Sequence, residues 1–187
     1  MRATNLGVLG RPVRRPARNS SAMPPVAEEA DAPVLSSADI RRATVLGGID
    51  GLITTFVIVA TALTGKVKPD VVGTVGVASL FADAFSMGVS EYLSSRFDRS
   101  SGDAAVLGAA CALAFCAAGA LPLCAYLLTM SDELVRQIAP TAVFVVSLFA
   151  LGLARLLVYR GTWQYVLEVV LSGSIAGGIA FGVAYGL

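Results

Sequence analysis

The chain has 187 residues, 56% of them hydrophobic and only 14% charged, with a mean hydropathy of +0.74, a balance that belongs to a membrane protein rather than a soluble domain. A formal net charge of +1, spread over scattered basic residues, offers no face for nucleic acid. There is no histidine, so the commonest metal ligand and the usual pH switch are both missing. Metal or proton chemistry must then use carboxylates, sulfur or backbone oxygen.

Residues 1–38 are rich in Arg, Pro, Ala and Ser and lack an apolar run long enough for a signal-peptide core. They read as a disordered cytosolic tail, with an organelle transit peptide as the rival reading because five arginines precede Glu28. Ser37, Asp39 and the Arg41-Arg42 pair open a helix near the membrane surface, the arginines suiting anionic headgroups. Residues 39–187 form the membrane domain, an all-α bundle.

Five apolar spans follow, at 43–64, 71–95, 104–129, 139–159 and 164–187. Each reaches the roughly 20 residues that a helix needs to cross about 30 Å of hydrocarbon. Short connectors force neighbouring helices to run antiparallel. Of the fourteen Lys and Arg, a cytosolic N-terminus leaves eleven on its own side and only Lys66, Lys68 and Arg136 on the other, which orients the chain N-in and C-out. Cys111, Cys116 and Cys124 fall in the third span without metal-ligand spacing and read as inert thiols. Pro122 is placed to kink that span, and Pro140 suits the start of the fourth. In the last span Gly173, Gly177, Gly178, Gly182 and Gly186 form small-xxx-small pairs that admit a neighbouring helix, within one subunit or between two.

The chemistry gathers in the first two spans. In the second, Asp83, Met87 and Glu91 recur every four residues and so share one helical face. Each acid costs about 2.5–3.5 kcal/mol to insert, so a span that keeps two of them uses them. In the first, Asp50 is flanked by Gly47, Gly48 and Gly51, which would let a second backbone approach the carboxylate. At the helical rise, Asp50 lies ~10 Å in from the cytosolic side, and Glu91, Met87 and Asp83 lie roughly 6, 12 and 18 Å deep. Asp50 and Met87 thus arrive at nearly the same level. A carboxylate facing a thioether suits a transition metal of intermediate softness, iron(II) first and manganese(II) next. Arg155 is close enough to the cytosolic end to snorkel out, Glu168 reads as interfacial, and Ser86 and Ser90 are candidate donors to the acids.

The stretches GGIDGLITTF in the first span and ADAFSMGVSEYLSSR in the second resemble the vacuolar iron transporter family, with a glycine-rich final span in support. The resemblance covers roughly residues 40–187. It implies a five-helix homodimer with the ion path near its two-fold axis, exporting Fe²⁺ and in some members Mn²⁺ from the cytosol in exchange for protons. Asp50 and Met87 resemble transport-path residues of that family, and Asp83 and Glu91 acids of the same path. The chain would hold no permanent cofactor and would sit in a cell membrane or in a vacuolar or other endomembrane. Plant members of the family carry a long acidic insert between the second and third spans; here residues 96–103 are only RFDRSSGD, so loading falls to the acids at the mouth. Two other readings stay open: a scaffold that binds a partner helix through the fifth span, and a transporter of another cation. No nucleophile paired with a base and no phosphate loop suggests an enzyme.

Overall fold

The computed structural model describes residues 35–129, 132–159 and 163–186, with the side chains of 157–159, 165, 184 and 185 left aside. These residues form five helices: α1 (Ser37–Thr64), α2 (Pro69–Ser95), α3 (Ser101–Leu128), α4 (Glu133–Tyr159) and α5 (Gln164–Gly186). All five are long and apolar enough to cross a membrane, and among the described residues there is no strand. The tail assigned to 1–38 lies almost wholly outside the described residues.

Local chemistry explains where each helix begins. α1 is opened by a capping box in which Ser36 Oγ accepts from the Asp39 amide while the Asp39 carboxylate accepts from the Ser36 amide. The cap is therefore Ser36 rather than Ser37. The segment expected to lie separately at the membrane surface is the first two turns of α1 itself. Pro69 occupies the first turn of α2, Ser100 caps α3 by accepting from the Asp103 amide, and Asp132 Oδ1 accepts from Leu134 and Val135 to start α4. This Asp132 cap starts α4 at Glu133, six residues before the span predicted from hydropathy, so Pro140 sits inside the helix and not at its start. Pro122 likewise lies inside α3, fully buried.

At the far end of α1 the chain turns through Gly65 and Lys66. The Val67 amide donates to Ala62 and the Lys66 amide to Leu63, the pattern of a Schellman motif. Lys66, rather than the preceding glycine, takes the left-handed position (φ 53°), at a cost of about 1 kcal/mol for an L side chain.

α1 is central: among the described residues it touches each of the other four helices, whereas α2 meets only α1 and α3, and α5 meets only α1 and α4. Two apolar clusters lie on opposite flanks of it. Val59, Leu80, Ala84, Phe115, Leu123 and Tyr126 join α1, α2 and α3. Leu52, Phe56, Phe144, Leu148 and Val169 join α1, α4 and α5, with the Phe56 and Phe144 rings stacked 3.8 Å apart. The outward faces carry Phe81, Phe85, Leu113, Val146, Leu171 and Ile175, as lipid-facing surfaces do.

The closest approach is between α1 and α3. A Cβ built on Gly47 would lie 2.1 Å from the Cys111 carbonyl oxygen, and one on Gly51 would lie 2.3 Å from that of Phe115. Only glycine fits at either position. The glycines around Asp50 thus admit a second backbone, and it belongs to α3. Gly48 differs, because a Cβ there would make ordinary contact with Leu151 and Ala118. Among the cysteines Cys111 is buried, Cys116 half-buried and Cys124 exposed, and all are free thiols.

Candidate functional site

Because α1 and α2 both pack tightly on α3 but only loosely on each other, space is left between them near mid-helix. A cavity of about 260 Å³ there is lined by Asp50 and Thr54 from α1, Asp83, Ser86 and Met87 from α2, and Phe115 from α3. On the other side of Asp50 and Met87 a larger cavity of about 610 Å³ opens toward the start of α1, lined by Arg42, Leu46, Ile49, Ile53 and Arg155 as well. Asp50 and Met87 line both. Their side chains are half-buried, as is that of Asp83, which places two carboxylates and a thioether around one space in an otherwise apolar bundle. Thr54 and Ser86 add hydroxyls to its wall.

Glu91, one turn beyond Met87, is not part of this group. It lines a separate cavity of about 300 Å³ at the bundle end, with Asp39, Arg42, Ser94, Ser95, Asp98 and Arg99. Its carboxylate accepts a long hydrogen bond from Ser95 Oγ at 3.4 Å. Across this mouth Arg99, from the α2–α3 connector, makes an ion pair of 3.0 Å with Asp39 at the start of α1. The short connector RFDRSSGD is thereby tied to the helix that carries Asp50. Among the described residues no three Cys, Asp or Glu side chains converge on a point where they could hold a metal. One chain offers two acids and a sulfur at mid-helix, and a further acid at the mouth.

Several participants were missed by reading the sequence. Arg155 does not simply reach outward: it lines the larger Asp50 cavity, and its guanidinium lies 3.9 Å from the Glu168 carboxylate. Part of the signal was available, since Arg155 and Glu168 stand equally far from the α4–α5 connector on antiparallel helices and so lie at the same level. Arg42 lines both the mouth and the larger cavity, where a purely superficial role had been expected. Ser86 borders the site, whereas Ser90 lines neither cavity beside Asp50.

The glycines of α5 divide. A Cβ on Gly173 would meet Leu148 at 2.5 Å and one on Gly177 would meet Phe56 at 3.2 Å, so both pack inside the chain. A Cβ on Gly178, Gly182 or Gly186 would meet no described residue within 4 Å. Among the described residues, none lies against the Gly182 position expected to admit another helix.

Residues 41–107 match the VIT family. A vacuolar iron transporter of Plasmodium falciparum (isolate 3D7) is 43% identical over 61 residues, which is 33% of this chain and 22% of that protein. Vacuolar iron transporters of Toxoplasma gondii (strain ATCC 50861 / VEG) and Plasmodium berghei (strain Anka) are 41% identical over 64 residues and 44% identical over 57. These matches cover 34% and 30% of this chain, and each spans 21% of the relative's length. No solved structure matches the chain significantly. The matched stretch runs through Asp50, Asp83, Met87 and Glu91 and stops early in α3. The match takes in every residue lining the smaller Asp50 cavity except Phe115, and over that stretch the chain is similar to the VIT family.

Proposed function

We propose that this chain moves a divalent transition metal, Fe²⁺ foremost and Mn²⁺ next, from the cytosol across a membrane in exchange for protons. The observation that carries the reading is the shared cavity of Asp50, Asp83 and Met87 between α1 and α2. Two carboxylates balance the charge of a divalent ion, and a thioether favours a metal softer than Mg²⁺ or Ca²⁺. A carboxylate in an apolar span holds a proton or a metal but not both, so binding one cation releases the other. In this reading the metal enters past Glu91 and the Asp39–Arg99 pair, binds between Asp50 and Met87, and leaves as Asp83 or Asp50 takes a proton. A homodimer would set two such ligand groups about a common axis and supply the ligands that one chain lacks. The excess of basic residues on the Asp39 side supports a cytosolic N-terminus.

The open face of Gly178, Gly182 and Gly186 keeps the scaffold reading as the second. Proteoliposomes separate the two. With an opposing proton gradient, Asp50→Ala is expected to reduce Fe²⁺ flux at least tenfold, roughly the loss of one charge-assisted ligand. Unchanged flux in Asp50→Ala, together with loss of function in Gly182→Leu, would replace transport with scaffolding.

A further inference from the structure

The mouth at Glu91 and the cavities at Asp50 are separated by an apolar layer. Ala43 of α1 packs there with Leu107 and Cys111 of α3; all three are buried, Cys111 completely, and Ile40 and Met87 close the edges. Leu107 lines the mouth and Met87 lines both cavities beside Asp50, so the layer is bounded by the mouth on one side and by the candidate site on the other. Arg42, which lines the mouth and the larger cavity, adds a positive charge at its margin. A cation at Glu91 thus has apolar side chains and a guanidinium between it and Asp50, and it passes only if they part.

What holds the layer shut lies on the same face of α1. Asp39 stands one turn before Ala43, and its Oδ1 pairs with Arg99 Nη2 at 3.0 Å. The side-chain hydrogen bonds of α1 and α2 close within four residues of chain, so among the described residues this pair is the polar tie between the start of α1 and the connector that follows α2. The tie is incompletely satisfied. Arg99 Nη1 is buried without a hydrogen-bond partner among the described residues, and the other Asp39 oxygen is engaged by Ser36. A buried N–H left unpaired weakens the arrangement that buries it, so the pair closes the mouth without locking it. Glu91 and Asp98 line the same cavity and offer a departing guanidinium other carboxylates.

We propose that the Asp39–Arg99 pair and the layer of Ala43, Leu107 and Cys111 form one gate, in which release of Arg99 from Asp39 lets the layer part and joins the mouth to the Asp50 cavity. The purpose of the gate rests on the transport reading: it admits the metal from the Asp39 end. A divalent cation drawn to the mouth acids competes with the guanidinium for Asp39, so the cargo itself favours opening. Arg99 is then a tethered cation that holds the entrance until a stronger one replaces it.

The gate carries its own reporter. In the full chain with Cys116→Ala and Cys124→Ala, Cys111 is the sole thiol. In mild detergent its rate of reaction with 2-(trimethylammonium)ethyl methanethiosulfonate, a small cationic thiol reagent, can be followed by intact-protein mass. Arg99→Gln in this background should accelerate labelling about fivefold or more, the weight of a half-buried ion pair on a local opening. Leu107→Ala, which thins the layer and keeps the pair, should accelerate it too. Arg99→Lys, which keeps the charge, should stay near the starting rate, as should Arg41→Gln, whose guanidinium bonds only Ser37 among the described residues. The converse chain, with Cys111→Ala and Cys124→Ala, reports at Cys116 farther along α3; its rate should ignore Arg99→Gln, which separates local opening from unfolding. Labelling of Cys111 in Arg99→Gln or in Leu107→Ala that matches the starting chain, or an acceleration that appears equally at Cys116, overturns the gate. The labelling needs no transport, so liposomes in which wild type moves no Fe²⁺ would remove the transport reading and leave the gate in place.

Discussion

α1 and α5 are both glycine-rich apolar helices, and in sequence their glycines look interchangeable. In the structure they are used in opposite ways. Gly47 and Gly51 of α1 hold the carbonyls of α3 at distances no side chain could tolerate, whereas a Cβ on Gly178 or Gly182 of α5 would meet no described residue. A small residue in a membrane helix is permission for close approach, and only the neighbour decides whether that permission is used. The tight pair lies where Asp50 must be held, because α3 is the common wall against which both α1 and α2 are registered.

This contrast can be broken most severely at Gly51. Gly51→Val would push a branched side chain into the Phe115 carbonyl, and we expect a loss of about 3 kcal/mol or more, read as a large fall in the unfolding midpoint in mild detergent. A midpoint within a degree of wild type would show that α3 can retreat. A smaller effect is expected at Gly173, where the added methyl meets the flexible end of Leu148: Gly173→Ala should cost about 1 kcal/mol by the same measurement. The smallest belongs to Gly182→Leu, expected to stay within about 0.5 kcal/mol because a Cβ there meets no described residue. A marked destabilisation there, appearing only at concentrations where chains associate, would move Gly182 into an interface between copies.

The helices themselves were legible because lipid imposes a simple rule: about twenty apolar residues in a row. Their ends were less so. Hydropathy gives no weight to the polar first turns of α1 and α4, so Ser36 and Asp132, which fix those turns by hydrogen bonds, lay outside the predicted spans. Depth could be estimated because helical rise is constant, and the estimate set Asp50 level with Met87, two residues that line the same two cavities. Rotation about the helix axis could not be estimated in the same way. Nothing in the run VLGGIDGLITTF says that Gly47 and Gly51 turn to α3 while Asp50 turns to α2. The separation of Glu91 from the other acids was hidden for a related reason: a shared helical face does not make a shared cavity.

The pattern of contacts also bears on movement. α1 acts as the spine of the bundle, with α4 and α5 as one leaf against it, while α2 is attached only through α3 and a thin seam along α1. Asp50 rides on the spine, and Asp83 and Met87 ride on α2, which is held mainly by α3. Any tilt of α2 about that seam changes the spacing of a carboxylate from its opposing sulfur and acid without disturbing the stacked Phe56 and Phe144 rings on the far side. The width of the cavity is therefore set by how a single helix, α2, is seated on α3, and the ring stack belongs to the opposite flank of α1.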